Sequence, residues 1–238
     1  MFTPARCLFL GAAVASTAWV AVSTAYATPW TQPSGPGTHF AYSNGGDLYG
    51  WFGDPEVVGG IFSFSPTDFQ ASASGEDTMT LADTLSFDVQ ADPGWRFGLV
   101  RVEALGNYAL TGTGANSVEV TQLLTVTENG VVDPRQWQGE WFADLDMPVT
   151  EGSGFWRGYD ALDLGIPEPW AHEALHFEFS TDLLAISSAG GSAMIDLLPL
   201  ASPPAPPLTI SITMHEIPEP SSLAFLVLGG SVLLRRWR

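Results

Sequence analysis

His172-Glu173-Ala174-Leu175-His176 spells H-E-x-x-H, the one stretch of this chain whose residue types and spacing specify a reaction. On a helix the two imidazoles lie one turn apart on one face and chelate a zinc ion, with the glutamate as general base toward a bound water. Pro169 suits the first turn of such a helix. The continuation speaks for a strand instead. Leu175, Phe177 and Phe179 alternate with His176, Glu178 and Ser180, which is strand periodicity. Extended backbone holds positions 172 and 176 about 13 Å apart, at roughly 3.3 Å per residue. Two ligands with metal bonds of about 2 Å cannot share an ion across that gap. Phe179 stands where a metzincin carries glycine, and no third histidine follows at the required spacing. The expectation is a loop-to-strand junction with no zinc at His172 and His176, and a secreted zinc hydrolase is kept only as the enzymatic alternative.

Other constellations carry less chemistry. Gly152-Ser153-Gly154 lacks the flanking pattern of a nucleophile elbow. Carboxylates are so numerous that no glycosidase-like pair stands out. Ile166-Pro167-Glu168-Pro169-Trp170 reads as a turn. Trp137, Trp141, Trp156, Tyr159 and Trp170 fall within 34 residues, among glycines and acids. Amphipathic rings on exposed loops stack on sugar faces while carboxylates accept hydroxyl hydrogen bonds. The same rings could equally fill the core of a protein without disulfides. Both readings stay open from the sequence.

The elements that must position these residues are strands. Leu85, Phe87 and Val89 alternate with Ser86, Asp88 and Gln90. Val118, Val120, Leu124 and Val126 do the same, with Gln122 an exception on the apolar face, and so do Leu208, Ile210, Ile212 and Met214. Each pattern predicts a half-buried strand. Turn formers separate them: Asn44-Gly45-Gly46, Gly59-Gly60, Ser74-Gly75, Thr111 to Gly114, Asn129-Gly130 and Ser188 to Ser192. Many short strands with glycine turns predict one all-β domain over residues 28–216, a β-sandwich of jelly-roll or Greek-key type, with no internal repeat. Pro199 to Pro207 holds five prolines and reads as a stiff surface loop ahead of the last strand.

Both ends carry address-like patterns. Arg6 precedes an almost wholly apolar or small stretch from Cys7 to Val22, and Ala25-Tyr26-Ala27 is an A-x-A site before Thr28. That is the layout of a secretory signal peptide over residues 1–27, cut by signal peptidase. Cys7, the only cysteine, leaves with it, so no disulfide is expected. At the other end Pro218-Glu219-Pro220 is followed by an apolar run from Leu223 to Leu234 and by Arg235, Arg236 and Arg238. Residues 221–234 would span about 21 Å as a helix, short of a hydrocarbon core of about 30 Å. The arginines favour a cytoplasmic C-terminus, and the two prolines hold the motif extended.

This tripartite tail, residues 217–238, is similar to the PEP-CTERM sorting signal. The resemblance implies an exported protein that sits transiently in the inner membrane and is processed by an exosortase-type membrane protease. It then reaches the outer envelope or extracellular space, in a Gram-negative, exopolysaccharide or biofilm setting. Pro218, Glu219 and Pro220 would be the recognised motif. A second resemblance lies in the body, over Ile61 to Met214. Ser65 to Ser72, Thr84-Leu85-Ser86-Phe87, Glu103 to Gly112, Thr181 to Ala185 and Ala193-Met194-Ile195 look like a β-rich body found ahead of such tails. It implies no catalytic activity, and the proline segment departs from its pattern.

Charge narrows the partners. The chain has no lysine, and residues 28–216 hold 25 acidic residues against Arg96, Arg101, Arg135 and Arg157, a net charge near −21. Such a surface repels nucleic acid. It leaves divalent cations open as partners, but no D-x-D-x-D-G loop is present to hold one. The sequence therefore points to a non-enzymatic envelope or matrix protein without a cofactor, with a lectin-like module that binds extracellular polysaccharide as the alternative.

Overall fold

The computed structural model describes residues 27–164, 174–198 and 206–217. Fifteen strands and no helix occur among them. The first seven are β1 (Thr28–Pro29), β2 (Gly35–Pro36), β3 (Phe40–Asp47), β4 (Glu56–Val58), β5 (Ile61–Phe64), β6 (Gln70–Ser74) and β7 (Thr78–Ala91). Then come the long β8 (Trp95–Thr111) and β9 (Ser117–Glu128), and the short β10 (Gln136–Gln138) and β11 (Phe142–Ala143). The last are β12 (Ser153–Asp163), β13 (Ala174–Ile186), β14 (Ser192–Asp196) and β15 (Leu208–Glu216).

They form two antiparallel sheets. One runs β1-β3-β7-β13-β9-β10, with β2 also on β3. The other runs β11-β12-β8-β15-β5-β4, with β14 pairing both β6 and β8. The described strands change sheet seven times in chain order, and the crossings between β6 and β7, β7 and β8, β8 and β9, β10 and β11, and β13 and β14 take only three to five residues each. These crossings are short, so each needs a tight turn. Between β7 and β8 the Trp95 amide donates to the Asp92 carbonyl at 3.0 Å, and Gly94 supplies the left-handed backbone at φ 85°.

The two sheets turn their apolar residues toward one core. Leu85, Phe87, Val89, Val118, Val120, Leu124, Val126, Leu208, Ile210 and Ile212 are all buried, as their alternation predicts. Met214 is only half-buried, because the β15 register on β8 shifts between Ile212 and Met214. Gln122 follows the apolar face inward and its Nε2 donates to Thr181 Oγ1 at 3.1 Å across β9 and β13. Phenylalanines tie the layers together. Phe62 lies 4.6 Å from Phe87, ring centre to ring centre, and Phe87 stacks on Phe177 at 5.1 Å. Each such ring removed from water contributes about 1.5–3 kcal/mol. A core of this kind needs no disulfide, and the described residues contain no cysteine.

Candidate functional site

Strand β13 begins at Ala174, so the third residue of the H-E-x-x-H motif already lies in extended backbone. His172 and Glu173 lie outside the described residues. His176 pairs with Asp88 of β7 and Thr127 of β9, on the outward face. Its Nδ1 is 2.8 Å from Asp88 Oδ1 and its Nε2 is 3.8 Å from Glu178 Oε1. Asp88 also accepts from Asn44 Nδ2 at 2.6 Å and from Asn129 Nδ2 at 3.1 Å. The Asp88 carboxylate thus knits three neighbouring elements together at the sheet surface. Among the described residues, no group of three or more His, Cys, Asp or Glu is placed to hold a metal ion.

The aromatic segment splits between two environments. Trp156 is only 1 % exposed and belongs to the core, so of the two readings left open for these rings it takes the core one and has no place on a saccharide surface. Its Nε1 donates to the Asp196 carbonyl at 3.0 Å, so both its apolar body and its polar tip are satisfied inside. Trp141 packs edge-on against Trp156 at 6.5 Å. It lies over Gly158 so closely that a Cβ there would come within 1.6 Å of the ring. Trp137 is half-buried on β10, opposite Val126. Trp170 lies outside the described residues. Among the described residues of the predicted set, Tyr159 is the exposed ring.

Alternation along β12 explains the split. Trp156, Gly158 and Asp160 point inward, whereas Phe155, Arg157 and Tyr159 point outward. Tyr159 stacks on Phe142 of β11 at 5.7 Å and 26°. These rings are 50 % and 48 % exposed, and Phe155 is 61 % exposed. Arg157 lies between Phe155 and Tyr159, and its Nη2 reaches Glu103 Oε2 of β8 at 3.0 Å. Arg101 Nη1 lies 3.9 Å from the same carboxylate. The backbone amide of Arg157 donates to Asp144 Oδ1 at 2.8 Å, which ties the β11 side to β12. Phe142 and Phe155 do not belong to the aromatic set singled out in the sequence. Phe155 shares the parity of Tyr159 on β12, opposite Trp156, whereas Phe142 comes beside Tyr159 only through the pairing of β11 with β12.

Among the described residues four aspartates are buried, Asp47, Asp83, Asp160 and Asp196, and Asp196 Oδ1 accepts from the Asn107 amide and side chain at 2.8 and 2.9 Å. Asp47 Oδ2 accepts from the Phe52 and Gly53 amides at 2.9 and 3.3 Å. Asp83 accepts from the amides of Tyr49, Trp51 and Thr84 at 3.0, 2.9 and 2.7 Å. Burial pushes the Asp47 carboxyl up to about 6, and the charge of Asp83 adds to the rise, against the pull of the two amides. Asp160 is 1 % exposed and neither of its oxygens makes a hydrogen bond. Burial raises its pKa; the Ala161 and Glu140 amides lean toward it without hydrogen-bond geometry and offset only part of the rise.

The residues of the two terminal patterns lie mostly outside the described residues. Ala27 is exposed at the first described position, and Ala25 lies outside the described residues. So do Pro218, Glu219, Pro220, Arg235, Arg236 and Arg238. Ile217 is described, and its amide donates to the Gly94 carbonyl at 2.8 Å. No protein-family model matches the chain, and no curated protein matches it.

Proposed function

We propose that this chain is an exported, non-enzymatic protein of the cell envelope or extracellular matrix, built on a β-sandwich of jelly-roll or Greek-key type. Signal peptidase removes the leader and an exosortase-type protease processes the tail. The observation that carries this reading is the order of the tail: Pro218-Glu219-Pro220, a short apolar run, then Arg235, Arg236 and Arg238. Strand β15 ends at Glu216, so the motif starts directly after the last strand of the body. Mass spectrometry of both ends of the exported protein tests it. Glu219→Ala, or deletion from Ser221 onward, should change the C-terminus and the final location. Surface protein with the wild-type terminus in wild-type amounts from both variants would sink the sorting reading.

A second reading is favoured by a separate observation. The stacked, exposed pair of Phe142 and Tyr159 has the composition of a platform for sugar faces. On this reading the body is a lectin-like module for extracellular polysaccharide.

A further inference from the structure

We propose that the outer face of the eight-stranded sheet, along Phe155, Arg157, Tyr159 and Phe142, binds a neutral oligosaccharide. The proposal rests on the lectin-like reading and gives it a place and a ligand class. The strip is continuous, because Phe155, Arg157 and Tyr159 are alternate, outward residues of one strand. Phe155 and Tyr159 are therefore about 13 Å apart, at ~3.3 Å per residue, and Phe142 widens the Tyr159 end. Two aromatic stations with a polar station between them suit a chain of sugar rings, whose apolar faces stack while their hydroxyls need partners.

The polar station supplies those partners. Arg157 and Glu103 are half exposed and bonded to one another at 3.0 Å. A guanidinium has five N–H donors in a fixed fork and a carboxylate has several lone pairs, so each can serve its partner and a hydroxyl together. A second copy of the chain fits this face poorly, because covering the Arg157–Glu103 pair with protein would strip its water without replacing it. A polyanion fits poorly as well. Arg101 and Arg157 are two of the four arginines in residues 28–216, yet the Glu103 carboxylate pairs with both guanidinium groups and the Asp144 carboxylate lies at the Arg157 backbone amide. The strip is an electrically balanced spot on a strongly acidic body. Neutral hexose polymers meet it without a charge penalty.

The test uses the full-length chain. Titration calorimetry is run with neutral gluco-, manno- and galacto-oligosaccharides, and with oligouronates as the anionic comparison. The expected result is binding of a neutral series, weakened at least about tenfold in Tyr159→Ala and in Phe142→Ala, a loss of the size stacking contacts give. Thermal midpoints should hold, and Tyr159→Phe, which keeps the ring, should retain binding. Tyr49→Ala removes an equally exposed ring elsewhere and should change nothing. Neutral-sugar binding that survives both ring deletions would refute this face and leave the lectin-like reading standing. Absence of binding to every neutral series would overturn both. Preference for oligouronates, or self-association lost in Tyr159→Ala without any sugar effect, would also overturn the proposal. If an alanine variant unfolds, Tyr159→Phe and Arg157→Gln decide: ring retention must preserve binding and loss of the fork must weaken it.

Discussion

Asp47 and Asp83 at one end of the fold, and Asp160 near the β11 side, are the same residue type at the same depth, with opposite surroundings. The first two receive five backbone amides between them; Asp160 receives none with good geometry. The cause is the backbone next to each. Strand β3 stops at Asp47, and the segment from Leu48 to Gly53 folds back over the exposed edge of β7, its Leu48 amide donating to the Thr84 carbonyl at 2.9 Å. A loop has amides to spare, and buried amides must find acceptors. Asp160 sits inside β12, on the β8 ladder opposite Val102, and the nearby Ala161 and Glu140 amides do not reach it in hydrogen-bond geometry. A buried carboxylate that faces a loop's free amides organises that loop; one that no amide reaches is a cost.

The largest break in that comparison is Asp83→Ala. It leaves the Tyr49, Trp51 and Thr84 amides without their acceptor, and the expected loss of stability is about 4 kcal/mol, from three orphaned donors at ~1–3 kcal/mol each. Chemical denaturation measures it. A loss under about 1 kcal/mol would mean that water serves these amides as well as the carboxylate does.

Asp47 sharpens the comparison through pH. Its folded pKa of about 6 lies above the ordinary value of 3.8, so the folded state holds the proton more tightly than the unfolded one. Its contribution is fully present below the ordinary value and disappears as pH rises through 6. The full excursion is roughly 3 kcal/mol. Asp47→Asn keeps an oxygen for the Phe52 and Gly53 amides and removes the titration. Wild type should therefore lose stability relative to the variant between pH 4 and pH 8. Parallel stability profiles for the two proteins would show that Asp47 does not titrate in this window.

These acids also mark where the sequence stops being legible. Period-two alternation located the central strands, because an apolar residue at every second position has only one way to be buried. It also predicted strand rather than helix from Leu175 onward, where β13 runs. It could not separate the two faces of the aromatic segment, since the inward set of β12 is Trp156, Gly158 and Asp160 while the outward set includes Phe155 and Tyr159. Aromatics on both faces erase the polarity contrast that a period needs. Glycine at 158 is there for the Trp141 ring that lies on it, a contact between segments that no local pattern encodes. The loop from Leu48 to Gly53 is held by Asp83, more than thirty residues away for two of its amides. Its Gly-rich composition signals a turn and says nothing of the carboxylate beneath it.

The smallest predicted effect runs in the opposite sense to the first. Asp160→Asn replaces a buried carboxyl by an isosteric neutral amide, which matters because Gly139 lies against the side chain and leaves no room for a larger one. The raised pKa means that ionised Asp160 weighs against the fold, so its contribution declines as pH rises. At pH 8 the variant should be more stable than wild type by about 1 kcal/mol, since a neutral polar group costs less to bury than an unpaired charge. For a chain of this size that is a rise of roughly 2–4 °C in the thermal midpoint. In acid, where both side chains are neutral, the advantage should vanish. Scanning calorimetry across pH reads both arms. Destabilisation by Asn at pH 8 would mean that the Ala161 and Glu140 amides close onto the carboxylate in solution, and the contrast with Asp83 would then be one of degree.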